Sequence, residues 1–175
     1  MKSQGNEKTA NSFYQQVLEK DPKNLKAHVG IGKMLRNSKE YDSALKQFQV
    51  AAMHPPSAQE ARVEIARTYL SMNRGSQATL ELRSLLKENS KDPVLQNLLG
   101  VSLDMQAKHS EAQKHYRLSL GGHPSQLRVQ SNLGLSLAFS GDYQEALSLL
   151  KQVTNNPASM PKDRHNLATA YALPG

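Results

Sequence analysis

The chain has 175 residues, of which 38% are apolar, 5% are aromatic and none is cysteine. The lack of cysteine excludes a disulfide framework and any site that needs a thiolate, and no apolar run reaches the roughly 18 residues that a membrane-spanning helix needs. The formal net charge of +7 is compatible with an acidic partner, a nucleic acid or an anionic lipid, but a well-solvated basic surface is the simpler explanation.

A 34-residue period runs along the chain without an insertion or a deletion. One series at this spacing carries small residues: Gly32, Ala66, Gly100, Gly134 and Ala168. A second series carries alanine, followed four positions later by a large apolar residue: Ala10 and Tyr14, Ala44 and Phe48, Ala78 and Leu82, Ala112 and Tyr116, Ala146 and Leu150. Such a period is typical of stacked helix pairs, in which small residues allow neighbouring helices to approach closely.

The pattern predicts the elements in chain order as alternating first and second helices, A and B, of each repeat. A helix B over about 6–20 belongs to a half repeat at 6–24. Four full repeats follow at 25–58, 59–92, 93–126 and 127–160, and a last helix A lies in a half repeat at 161–175. Turn signals at Asn37-Ser38, Asn73-Arg74-Gly75 and Gly141-Asp142 separate A from B. We therefore expect one array of repeats that is truncated at both ends.

This 34-residue unit resembles the tetratricopeptide repeat (TPR). The closing proline of that family matches Pro22, Pro56 and Pro124, whereas Ser90 and Ala158 replace it in two units. The early tryptophan of the family is absent, and the residues in its place are His28, Arg62, Gln96, Gln130 and Arg164. The resemblance implies an all-α solenoid, a right-handed superhelix of antiparallel helix pairs, with protein binding on the concave face formed by helices A.

Helical periodicity identifies the side chains that would line this concave face. The candidate partner-binding groove comprises Lys26, Val29, Lys33, Arg36, Val63, Arg67, Asn97, Val101, Met105, Arg128, Asn132, Leu135, Phe139, His165 and Asn166. Its first part is basic and its later part is apolar, while its asparagines can donate to and accept from a peptide backbone. The groove would suit an extended or helical segment with an acidic part and an apolar part.

Chaperone-binding members of the family clamp a C-terminal carboxylate with Lys at the fifth and Asn at the ninth position of one repeat. The corresponding pairs in this chain are Val29 and Lys33, Val63 and Arg67, Asn97 and Val101, Ser131 and Leu135, His165 and Thr169. None has this combination, so we do not expect a co-chaperone of Hsp70 or Hsp90.

No pattern in the sequence predicts catalysis, a metal or a cofactor. The six histidines lie at spacings that do not converge on a metal, and they read as solvated or turn residues. Gly121-Gly122 lacks the Lys-Ser/Thr of a phosphate-binding loop. The pairs Glu60/Glu64 and Asp104/Glu111 read as surface charge with basic neighbours. We therefore expect a protein that is not an enzyme.

The stretch from Arg128 to the end, with Asn-Leu-Gly-Leu-Ser-Leu-Ala and Arg-His-Asn-Leu-Ala as its core, resembles TadD, the TPR lipoproteins of bacterial Tad (Flp) pilus assembly. The resemblance implies a periplasmic protein of the outer membrane, anchored through a lipidated cysteine upstream of Met1, that assists the pilus secretin as a pilotin does. The alternatives are a cytoplasmic TPR adaptor of an unrelated complex and an RNA-binding protein that uses the basic N-terminal face.

Overall fold

The computed structural model describes residues 2–55 and 58–173, which fold into α-helices joined by short turns. The ten helices in this part of the chain are α1 Lys2–Lys20, α2 Leu25–Asn37, α3 Tyr41–Ala52, α4 Ala58–Ser71, α5 Gly75–Glu88, α6 Pro93–Asp104, α7 His109–Gly122, α8 Leu127–Phe139, α9 Tyr143–Thr154 and α10 Pro161–Ala172. The all-α prediction is confirmed. The first helix begins at Lys2 rather than near residue 6, because Gly5 and Asn6 weaken a helix without ending it. Pro56 lies outside the described residues.

The chain divides into two compact units, Met1–Glu81 and Leu82–Gly175. In the first unit, α2 packs against α3 as a helix pair, and α1 and α4 flank this pair. In the second unit, α6 pairs with α7 and α8 pairs with α9, and α10 packs against both α8 and α9. Helices A also contact one another directly, α2 with α4 in the first unit and α8 with both α6 and α10 in the second. The helices therefore pack as the sequential pairs that the 34-residue period predicts.

Glycine in the first small series makes room for the large residue of the paired helix. A Cβ atom on Gly32 would lie 2.5 Å from the buried ring of Phe48, and one on Gly100 would lie 2.5 Å from the buried ring of Tyr116. These distances are far below a van der Waals contact, so the two backbones approach closely only because the side chain is missing.

The turn between helices A and B adopts the same backbone conformation in each of four successive repeats. Lys39, Asn73, Ala107 and Gly141 all have positive φ, between 56° and 92°. The next N–H bonds back to a carbonyl five positions earlier, as in Glu40 to Leu35 at 2.8 Å and Lys108 to Leu103 at 3.0 Å. This is the six-to-one bond of a Schellman motif, which satisfies a carbonyl at the helix end.

Three of the residues that stand in place of the family tryptophan, His28, Gln96 and Gln130, connect their helix A to the turn before it. Gln96 Nε2 donates to the Ser90 carbonyl at 2.8 Å, and Gln130 Nε2 donates to the Pro124 carbonyl at 2.8 Å. In both cases the acceptor lies six positions earlier in the chain. His28 Nε2 lies 3.0 Å from the Pro22 carbonyl in the same way. His28 is buried and its other ring nitrogen lies 2.7 Å from Gln47 Oε1. The interpretation of His28 as a solvated or turn residue is therefore wrong, because a polar side chain replaces tryptophan at an interior position.

Candidate functional site

In the first unit, the predicted groove residues lie on α2 and α4, the two adjacent helices A. Lys26 is exposed, Lys33 and Arg36 are half-buried on α2, and Val63 and Arg67 are half-buried on α4. Val29 is a correction, since only 4% of its surface is exposed and it belongs to the core formed with α3 and α4. Its side chain therefore supports the packing of α2 and is not offered to a partner.

Three cations of this face, Lys33, Arg36 and Arg67, lie near carboxylates on α4. Lys33 Nζ lies 2.7 Å from Glu60 Oε1, and Arg36 Nη1 forms an ion pair with Glu64. Glu64 is only 8% exposed, and Lys33 Nζ and Arg67 Nε lie 3.8 Å from its Oε1. The interpretation of Glu64 as surface charge is therefore wrong. Three cations face two carboxylates, so this part of the predicted groove carries far less positive charge than its cations alone would give it.

In the second unit, the predicted residues lie on α6, α8 and α10. Asn97, Val101, Asn132 and Leu135 are half-buried, while Met105 and Phe139 are 40% and 48% exposed. Asn132 Nδ2 donates to Asn97 Oδ1 at 3.1 Å, which places the helix-A faces of α6 and α8 side by side. The structure thus brings amide groups and apolar side chains together on one surface.

The third helix of this surface, α10, is joined to α8 by a buried amide. Asn166 Nδ2 donates to Ser131 Oγ at 2.9 Å, and only 2% of Asn166 is exposed. Asn166 is therefore a correction to the candidate groove, because its side chain is used between helices. His165, its neighbour, is exposed, and so is Arg128 on α8.

The ring of Phe139 is supported from one side by a histidine of the preceding repeat. The two ring centroids of His109 and Phe139 are 5.6 Å apart, with the planes tilted by 31°. His109 is itself held by a 2.9 Å contact between its Nδ1 and Asp104 Oδ1. Sequence reasoning did not single out His109 as a neighbour of the groove, because the contact joins the start of α7 to the end of α8, which carry no shared motif.

Asp104 is the centre of a polar cluster beneath this surface. Its Oδ1 also accepts from Ser136 Oγ at 2.7 Å, and its Oδ2 accepts from the Tyr116 hydroxyl at 2.8 Å. Burial, followed by the nearby Asp104 charge, raises the pKa of Tyr116 strongly, so the phenol stays protonated and remains a donor. The prediction that Asp104 is plain surface charge is wrong, because three donors converge on its carboxylate.

The cluster contains the residue types of a hydrolase triad without the arrangement that a triad needs. The Ser136 hydroxyl donates to the carboxylate of Asp104, whereas a nucleophilic serine donates to the imidazole that removes its proton. The geometry therefore fits a structural brace for α6, α7 and α8.

Comparison with known proteins places the chain in a family. Two models, both described as tetratricopeptide repeat, match residues 4–61 and residues 35–101. The chain is a tetratricopeptide repeat protein. Its TPR fold is also that of PilF of Pseudomonas aeruginosa, with a TM-score of 0.75, 18% identity, and coverage of 95% of this chain and 76% of PilF. YrrB, a TPR protein described as having an unusual peptide-binding site, superposes with a TM-score of 0.70 at 19% identity, over 98% of this chain and 87% of YrrB.

A curated relative is the Hsp70-Hsp90 organizing protein 2 of Arabidopsis thaliana. It is 30% identical over 110 residues, which make up 58% of this chain and 19% of the relative. The TPR chain thus spans about a fifth of the length of this relative. The family is a non-catalytic scaffold for protein–protein interaction, and this TPR chain is such a scaffold.

Among residues 2–55 and 58–173, no group of three or more His, Asp and Glu side chains could hold a metal ion. In the same part of the TPR chain, every helix is too short or too polar to cross a bilayer.

Proposed function

We propose that this TPR protein binds a segment of another protein along the helix-A surface of its second unit. The observation that carries the proposal is the exposure of Met105 and Phe139, two large apolar side chains, beside the half-buried Val101 and Leu135. Contiguous apolar side chains that remain exposed on a folded protein are typical of interaction sites. YrrB supports the proposal as a protein of the same fold that has a peptide-binding site.

The partner that we propose is a subunit of bacterial Tad (Flp) pilus assembly, in the first place the secretin. The support is the resemblance of the C-terminal stretch, from Arg128 onward, to the TadD lipoproteins. In this proposal the chain acts at the periplasmic face of the outer membrane, where a lipid anchor upstream of Met1 would hold it. It keeps a secretin segment bound until the secretin oligomerises, as a pilotin does.

A second candidate is a cytoplasmic adaptor of an unrelated complex, which the similarity to an Hsp70-Hsp90 organizing protein favours. The pairs at the fifth and ninth repeat positions still lack the clamp combination, so we do not expect this adaptor to bind a chaperone tail through such a clamp. An RNA-binding role is disfavoured, because Lys33, Arg36 and Arg67 already face Glu60 and Glu64.

The test is a pull-down from envelope extracts of the source bacterium with the full chain as bait. The groove variant is Met105→Glu/Phe139→Glu, and the matched control is Leu80→Glu/Leu118→Glu, which introduces the same charges at two exposed leucines on α5 and α7. Circular dichroism melting first establishes that both variants fold like the parent chain.

We expect the parent and the control to retain a secretin or pilus subunit and the groove variant to lose it. Retention of the same subunit by all three baits would show that another surface binds it. Retention of cytoplasmic proteins alone would contradict the pilus proposal and support the adaptor.

A further inference from the structure

The bond between Asn97 and Asn132 leaves one amide NH2 group and one amide carbonyl oxygen of the pair without a partner on the helix-A surface. Asn132 uses one N–H and Asn97 uses its carbonyl oxygen in this 3.1 Å bond. The Nδ2 group of Asn97 and the Oδ1 atom of Asn132 have no further partner among the described residues. If both amides were flipped, one NH2 group and one carbonyl oxygen would still be left, so in either orientation the pair can bond to the C=O and N–H of one peptide residue.

Two exposed cations lie on the N-terminal side of this amide pair. Arg128 is one turn before Asn132 on α8, and Lys162 is one turn before Asn166 on α10. The bond between Asn166 and Ser131 brings these two helix segments together. Among the described residues, neither Arg128 nor Lys162 forms an ion pair. In the first unit, by contrast, Lys33 and Arg36 of α2 are already paired with glutamates.

The apolar side chains lie on the opposite, C-terminal side of the amide pair. Val101 and Met105 are one and two turns beyond Asn97 on α6, and Leu135 and Phe139 are one and two turns beyond Asn132 on α8. The surface therefore carries cations, then unpaired amide groups, then apolar side chains, along the direction of the helices A.

We infer that this surface takes an extended peptide segment with a carboxylate side chain at Arg128 and Lys162, backbone hydrogen bonds to Asn97 and Asn132, and a large apolar side chain at Met105 and Phe139. This inference rests on the proposed function and specifies the partner segment for the same surface. A helical segment does not fit, because its backbone N–H and C=O groups are already bonded within the helix. An extended strand leaves these groups free on its edge.

The register of α8 fixes the spacing within the segment. Arg128 lies in the first turn of α8 and Phe139 is its last residue, a separation of about 16 Å at the helical rise. An extended peptide covers about 16 Å in roughly five residues. The acidic residue and the large apolar residue of the partner are therefore about five positions apart, with the backbone-bonded residue between them.

The experiment is a selection from a random library of ten-residue peptides displayed as fusions to their encoding RNA, with the full chain as target. Peptides recovered after several rounds are synthesised, and their affinities are measured by fluorescence anisotropy. The variants are Arg128→Glu and Asn132→Ala, and the control is Lys114→Glu, which reverses the charge of an exposed lysine on α7.

We expect the recovered peptides to share an Asp or Glu four to six positions from a Phe, Leu, Ile or Met. Their affinity should fall about tenfold or more with Arg128→Glu and with Asn132→Ala, and less than about twofold with Lys114→Glu. Added salt should weaken the binding, because the cations are exposed.

Three results would contradict the inference in distinguishable ways. The first result is a set of peptides whose binding depends on Met105 and Phe139 but which lack the acidic residue or carry apolar residues at helical spacing. It would refute the extended acidic segment and leave the proposed function standing. The second result is binding that is insensitive to Arg128→Glu and to Met105→Glu/Phe139→Glu, which would refute the inference and the proposed function together. Failure to recover any binder would refute the inference alone, since all three contacts fit within a ten-residue peptide, and the envelope pull-down would still judge the proposed function.

Discussion

The helix-A faces of the two units share the same repeat register but differ at several equivalent positions, where the residues are charged in the first unit and mostly apolar in the second. In the first unit, Lys33 and Arg67 occupy the same position of two successive repeats, and both lie near the buried Glu64. The same series continues in the second unit with Val101 and Leu135, which are apolar. The position of Glu64 is taken there by Leu98 and then by Asn132.

This difference shows which positions the fold requires and which it leaves open. The contacts inside each helix pair are the same in both units, as Gly32 against Phe48 and Gly100 against Tyr116 show. The contacts between neighbouring helices A use ions in one unit and amides in the other. Because Lys33 and Arg36 are engaged by Glu60 and Glu64, the first face offers a partner less charge than its cations alone suggest, whereas Arg128 and Lys162 of the second face form no ion pair among the described residues.

The largest effect is expected from removing the buried carboxylate of the first unit. Glu64→Leu, which introduces the residue that the second unit has at Leu98, leaves Arg36 without its ion pair. We expect a loss of about 3 kcal/mol in the free energy of unfolding, because the half-buried guanidinium of Arg36 loses its partner. Urea denaturation at two salt concentrations measures this loss and its dependence on ion screening.

Glu60, the exposed carboxylate one turn before Glu64 on α4, provides the control for Glu64→Leu. Glu60→Leu removes a carboxylate that is 57% exposed, and we expect a loss below about 1 kcal/mol. The double variant Glu64→Leu/Arg36→Leu should recover much of the lost stability, because an apolar contact replaces the whole ion pair and no charge is left without a partner. Equal losses for Glu64→Leu and Glu60→Leu would show that the ion cluster of the first unit is no more than surface charge.

A smaller effect is expected from filling the glycine positions that both units share. Gly100→Ala should destabilise the chain by about 1–3 kcal/mol, because the added Cβ meets the Tyr116 ring. That ring cannot withdraw easily, since its hydroxyl is bound to Asp104. Gly32→Ala should cost less, because the Phe48 ring has no polar group to fix it. Thermal and urea unfolding compare the two variants.

Gly121→Ala is the matched control, since a Cβ at this helical residue would meet nothing within 4 Å. It should stabilise the chain by up to about 1 kcal/mol through helix propensity. A greater loss for Gly32→Ala than for Gly100→Ala would contradict the bracing role of Asp104.

The smallest effect on stability is expected from a His–Gln hydrogen bond that joins helices A and B in each unit. The histidine lies on helix A in the first unit and on helix B in the second. His28 on helix A meets Gln47 on helix B in the first unit, and Gln96 on helix A meets His115 on helix B in the second. Burial lowers the pKa of His115 below 6.5, with Arg83 acting in the same direction and Glu111 opposing it. The neutral ring then donates from Nδ1 to Gln96 Oε1 at 2.6 Å.

A lowered pKa in the folded state means that this contribution to stability is present above pH 6.5 and is lost as the pH falls through the folded value. We expect the free energy of unfolding to decrease from about pH 8 to pH 5, and His115→Gln to make that decrease shallower. His123→Gln, at an exposed residue after α7, is the control. The same pH profile for the parent chain and His115→Gln would refute the assignment.

Most of the fold could be predicted from the sequence, because its determinants are local and recur. The 34-residue spacing of small and large residues predicted the helix pairs, and signals at Asn37-Ser38, Asn73 and Gly141 marked three of the turns between helices A and B. Lys39 and Ala107 are not residue types that favour a left-handed turn, yet they adopt the same conformation as Asn73 and Gly141. A left-handed lysine or alanine costs about 1–2 kcal/mol, and the packing of the helices on either side imposes it.

The sequence by itself determined the period, the helix pairs and which residues of a helix A share one face, because these follow from the helical repeat. Only the tertiary structure decided that Arg36 pairs with Glu64, that Asn132 pairs with Asn97, and that Val29 and Asn166 are buried. Those outcomes depend on how far one helix is shifted along its neighbour. A shift of one turn changes which side chains meet without changing the helical periodicity.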